Sequence, residues 1–105
     1  MSTNDIVDRS RSDVSATPVV LMSACPSRTF LLIQNVSAVY QAFSFDATIP
    51  SVDGTGAGGA GSTVLAPGQG IVLDGGHNSK NPPSNKINIV AASGPVNVTA
   101  YERLS

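Results

Sequence analysis

A chain of 105 residues with 12% charged side chains and a net charge of -1 fits one domain with a modest core, and a second domain is not expected in it. Its six basic residues are scattered and leave no electrostatic footprint for nucleic acid, and no apolar run approaches the roughly 18 residues that span a bilayer. One cysteine and one histidine exclude an internal disulfide and a metal site of four such ligands, so packing alone must hold the fold.

Residues 1–16 are polar and charged, with Ile6, Val7 and Val14 as their β-branched apolar residues. Such a segment cannot offset its own ordering entropy in isolation. It reads as an extended N-terminal arm preceding a domain over 17–105, with Ile6 and Val7 as its anchor on a partner. Arg9 and Arg11 alternate with Asp8 and Asp13, a locally balanced and solvated pattern. The arm has neither the apolar nor the basic region of a secretory signal, so the expectation is synthesis and retention in the producing cell's cytoplasm.

The domain opens with a strand at Val19 to Met22, entered through Pro18. A second strand, Arg28 to Gln34, is apolar on both faces at Phe30, Leu31, Leu32 and Ile33, the pattern of a central strand covered on two sides. A polar turn over 35–38 leads to a third strand, Val39 to Phe45. This pair reads as a hairpin holding all three phenylalanines, Phe30, Phe43 and Phe45, and hence nearly the whole aromatic core.

Asp53 to Ser62 is a glycine-rich loop, expected to be flexible or ordered by a partner. Gly54, Gly56 and Gly59 satisfy G-x-G-x-x-G, but no helix or β-α-β unit surrounds them, so a phosphate cradle is rejected. Short strands at 62–66 and 70–74 flank Pro67-Gly68-Gln69, which calls for a type II turn with glycine at positive φ. A long polar loop runs from Asp74 to Asn85. Two strands with clean alternation, Lys86 to Ala92 and Val96 to Glu102, are joined by Ser93-Gly94-Pro95. About seven short strands and no helical periodicity predict an all-β domain, a single antiparallel sandwich or small jelly roll.

Little in this sequence can perform chemistry. Asp46, Asp53, Asp74 and Glu102 each read as turn or surface carboxylates rather than as an acid-base pair. Asp74 and His77 sit in a mobile polar loop that does not preorganise a site, and Cys25 is far in sequence from the one imidazole and reads as a small packing residue. No catalytic, cofactor-binding or metal-ligating residue is assigned, and the chain is expected not to be an enzyme. Asn35-Val-Ser37 and Asn97-Val-Thr99 match the glycosylation sequon by chance. Tyr40 and Tyr101 either cap the core edge or anchor a partner. The sparse charge suits a protein packed against neighbours more than a free monomer.

Arg28-Thr-Phe-Leu-Leu-Ile-Gln-Asn-Val-Ser, the aromatic strand ending at Phe45-Asp46, Leu65-Ala-Pro-Gly-Gln-Gly-Ile-Val-Leu-Asp-Gly and the terminal Val96-Asn-Val-Thr-Ala-Tyr-Glu together resemble the small β-sandwich structural proteins of tailed bacteriophages, over roughly residues 18 to 103. The resemblance implies a virion component in many copies. A capsid decoration or cement protein is the first expectation, a trimer or other symmetric homo-oligomer bound to the major capsid protein or another virion protein. A neck, tail or fibre part, or a receptor- or glycan-binding module, is the alternative. The family has no catalytic residues to transfer.

Overall fold

The computed structural model describes residues 6–46, 48–74 and 82–104. Among the described residues nine antiparallel strands make two sheets, which is the all-β sandwich expected: β1 (Ile6–Asp8), β2 (Arg11–Val14), β3 (Val19–Met22), β4 (Arg28–Asn35), β5 (Gln41–Ser44), β6 (Thr63–Leu65), β7 (Gly70–Asp74), β8 (Ile87–Ala91) and β9 (Val96–Leu104). One sheet runs β1-β9-β4-β7, with β2 also on β9; the other runs β3-β8-β5-β6. They are called the β9 sheet and the β8 sheet below. The core between them contains Val14, Leu31, Ile33, Phe43, Leu65, Ile87, Ile89, Val98 and Ala100, contributed by alternate residues of each strand because successive side chains point to opposite faces.

The segment read as an arm is the edge of the β9 sheet. Ile6, Val7 and Asp8 pair with Arg103, Glu102 and Tyr101, while Arg11 and Val14 pair with Val98 and Val96. Between them the chain is pinned by Arg9 N donating to Ala100 O at 2.7 Å and by the Ser10 hydroxyl, which accepts from Ala100 N at 3.0 Å. Backbone pairing on a long neighbour supplies the order that side-chain burial does not, since of these residues only Val14 is fully buried.

The expected hairpin is corrected. β4 pairs with β7 and β9, whereas β5 pairs with β6 and β8, so the turn after Asn35 is an arch from one sheet to the other. The same holds for Pro67-Gly68 between β6 and β7 and for residues 92–95 between β8 and β9. Alternation and turn residues are identical for an arch and a hairpin; which sheet receives the next strand depends on partners far away in sequence. Gly68 does take the expected positive φ, 82°. The aromatic core is also smaller than expected: Phe43 and Phe45 meet edge to face with centroids 5.1 Å apart, but Phe30 points away from the core.

Asn35 organises the first arch. Its side-chain amide donates to Val39 O at 2.7 Å and Leu65 O at 2.9 Å, and its Oδ1 accepts from Ser37 N at 3.0 Å and the Ser37 hydroxyl at 2.6 Å. At the opposite end of β4, Arg28 and Glu102 form a buried ion pair, Nε to Oε1 at 2.9 Å, with side chains 0% and 2% exposed. A register shift between Arg28 and Phe30 turns the arginine inward. Its remaining nitrogens reach Pro83 O, Asn85 O at 3.2 Å and Ser23 O at 2.8 Å. The second Glu102 oxygen accepts from Arg9 Nε at 2.7 Å.

Removing one member of this pair leaves the other buried and uncompensated. Arg28→Met or Glu102→Leu alone is therefore expected to cost about 3–5 kcal/mol of unfolding free energy, and the double substitution markedly less than the sum of the two. Urea unfolding of the three variants reads the coupling directly.

Candidate interaction surface

The two outer faces of the sandwich are treated differently. On the β8 sheet, Ala42, Ser44, Asn88 and Val90 point away from the core yet are 5% exposed or less. Residues 48–62 lie over this face: the Ser44 hydroxyl donates to Thr48 O, Pro50 is buried, and Gly58 sits so close to the outward Val64 that a Cβ there would be 2.7 Å from it.

The glycine loop, expected to be flexible or ordered by a partner, carries a hydrogen-bonded framework of its own. Its framework is polar rather than apolar. Asp53 Oδ1 accepts from Thr55 N at 2.8 Å, the Thr55 hydroxyl at 2.7 Å and Ala57 N at 3.0 Å. Ser51 N donates to the Ser62 hydroxyl at 3.0 Å, and Gly59 N donates to the Ser51 hydroxyl at 3.0 Å. Gly56, at φ 88°, lies under the Tyr40 ring, where a Cβ would be 2.7 Å from Cε1. The G-x-G-x-x-G amides that an anion would use are in part already taken by the loop's own carboxylate.

On the β9 sheet the outward residues form two adjoining rows across the strands. Cross-strand partners Ile6, Arg103, Phe30 and Asp74 make one, and Asp8, Tyr101, Leu32 and Val72 make the other. Arg103 lies over the Phe30 ring, 5.4 Å from its centroid, and reaches Asp74 at 3.5 Å, so the charges of this face are partly matched within it. Phe30, Leu32 and Tyr101 are half-buried by their neighbours, whereas Val72 is 56% and Ile6 53% exposed. Among the described residues nothing corresponding to the glycine loop covers this face.

Of the sequence-assigned residues, Ile6 and Tyr101 belong to this surface. Val7 pairs with Glu102 and faces inward, half-buried, and Tyr40 packs on Gly56, so the two tyrosines do not form one platform. Phe30, Leu32 and Val72 join this surface without having been assigned to it from the sequence. The signal for Phe30 and Leu32 is the two-faced apolar pattern of β4, which predicts burial on both sides, whereas among the described residues only one side is covered. His77 and most of the Asp74 to Asn85 loop lie outside the described residues. Cys25 is half-buried. Among the described residues no three His, Cys, Asp or Glu side chains are grouped to hold a metal ion. A cleft of about 350 Å³ lies beside the β2–β9 irregularity, lined by Ser10, Arg11, Asn97 and Thr99 among others. Its one charged group, Arg11, is already bidentate on Asp13 at 2.7 and 2.8 Å.

Compared with protein-family models, curated proteins and solved structures, the chain matches none of them.

The Asp53 carboxyl is held below the usual carboxylate range by the Thr55 hydroxyl first, then by the amides of Ala57 and Thr55. A lowered folded pKa contributes order that is complete above the unfolded value, about 3.9, and is lost as pH falls through the lower folded value. The Thr55 and Ala57 amide resonances are expected to hold constant from neutrality to about pH 5 and to shift below about pH 4. In Asp53→Asn that acid step disappears.

Proposed function

We propose that the chain is a bacteriophage virion structural protein, a capsid decoration or cement protein, that docks on the head shell through the outer face of its β9 sheet. The observation that carries this reading is the asymmetry of the sandwich. The chain spends fifteen residues, 48–62, in closing the outer face of one sheet, yet leaves Phe30, Leu32, Val72 and Tyr101 in adjoining positions on the other. An apolar patch rimmed by matched charges is the usual anatomy of a protein interface.

Two further observations support it. Charge is scarce over the whole chain, which suits a subunit surrounded by neighbours. The residues that carry the resemblance to phage β-sandwich proteins are the ones that build this scaffold: Arg28 and Glu102 in the buried pair, Asn35 and Pro67-Gly68 in the arches. Each docked copy adds a modest contact, and repetition over a shell makes the sum large.

Purified particles carrying the protein are expected to withstand heat or low ionic strength better than particles stripped of it, and equal survival removes the cementing role. Tyr101→Asp, which puts a carboxylate into the centre of the patch, is expected to weaken shell binding by about 2 kcal/mol, roughly 30-fold in Kd, with its own thermal unfolding little changed. Pelleting of the variant with particles measures the first and circular dichroism the second.

A further inference from the structure

A two-sheet sandwich has four strand edges, each a template for another chain unless something blocks it. Three of them are blocked. The β1–β2 edge carries Asp8, Arg9, Arg11 and Asp13 and is interrupted at Arg9-Ser10. The β3 edge follows Pro18, has a register shift between Val20 and Met22, and has its Val20 carbonyl capped by the Arg11 guanidinium at 3.1 Å. β6 is three residues long. β7 differs on each count. It is paired in unbroken register with β4 from Gly70 to Asp74, it has no proline and no charge before its last residue, and its central Val72 is 56% exposed. Among the described residues no strand pairs with its second edge.

The geometry points to a second copy of this chain as the occupant of that edge, joined β7 to β7 antiparallel about a two-fold axis through Val72. This goes beyond shell docking and does not depend on it. In this register Val72 faces Val72 of the partner subunit, Ile71 faces Leu73 of the partner subunit, and Asp74 faces the partner's Gly70. Charge favours this register: the two carboxylates lie at opposite ends, each opposite a residue without a side chain, whereas sliding the strands toward Asp74 brings them face to face. Slipping by one residue instead sends Ile71 and Leu73, which pack on the core of each copy, out of line with their partners.

The joint also continues the apolar face. The row Tyr101, Leu32, Val72 of one copy runs on into Val72, Leu32, Tyr101 of the other across one continuous sheet. Such an isologous contact closes on itself and does not propagate into fibres, which is how an unprotected edge is tolerated.

Sedimentation equilibrium of the full chain over a concentration series tests this. The expected result is a reversible dimer, with Val72→Lys, which sets two like charges opposite each other at the axis, weakening it at least about tenfold. Partners opposite one another in an antiparallel pair are about 4.5–5.5 Å apart at Cα, within disulfide range. Val72→Cys in a Cys25→Ser background is therefore expected to cross-link under oxidation, and Val20→Cys on the blocked β3 edge is not. A monomer at every concentration, a dimer indifferent to Val72→Lys, or equal cross-linking at the two positions overturns the proposal. Tyr101→Asp lies two strands from the joint and keeps the dimer, so a failure of shell docking and a failure of this pairing are told apart.

Discussion

Arg28 brings a full positive charge into the end of a sandwich that has few charges, and the fold is arranged around satisfying it. Desolvating an ion costs several kcal/mol even after relaxation, and here the cost is offset by Glu102 and by three carbonyls from two connections, Ser23 after β3 and Pro83 and Asn85 before β8. Those carbonyls belong to connections, not to ladders, and would otherwise need water. One guanidinium thus ties both sheets together at that end, and Glu102 extends the tie to the edge strand through Arg9. The opposite end is closed in the same manner by Asn35, whose side chain serves backbone groups of the β4–β5 connection and of the last residue of β6.

With both ends fixed by polar networks, the apolar residues between them need only be small and regular, and most of them are Val, Ile, Leu and Ala. The price is that the arches carry much of the specificity. A Cβ on Gly94 would collide with the Val14 carbonyl, which places the β8–β9 arch directly against the edge strand. Gly68 supplies the positive φ of the β6–β7 arch while its amide donates to Asn35 O at 2.7 Å. These contacts make the amino-terminal strand part of the domain even though most of its side chains remain at the surface.

The same economy shapes the surface. Charges are concentrated on the β1–β2 edge, where they block pairing, and the glycine loop is laid over the β8 sheet, where its side-chain-poor backbone approaches Val64 and Tyr40 closely. What the described residues leave uncovered is one sheet face and the edge beside it. Both functional proposals take their starting point from that contiguous region, one from the face and the other from the edge, and they are compatible: a pair joined at β7 presents twice the apolar face to a shell.

The sequence by itself determined the strands from β3 to β9 within a residue or two, the positive φ at Gly68 and the absence of helices among the described residues, because alternation and turn chemistry are local properties of a pleated chain. It also held the signal of the exposed face, in a strand apolar on both sides. Only the tertiary structure decided that most consecutive strands cross between sheets, that Ile6 to Val14 completes an edge, and that no described residue covers Phe30 and Leu32, since each depends on which distant segment arrives alongside. The roles of Arg28 and Glu102 were likewise invisible in one dimension: they stand 74 residues apart, and a buried pair is recognisable only once folding has removed both from water.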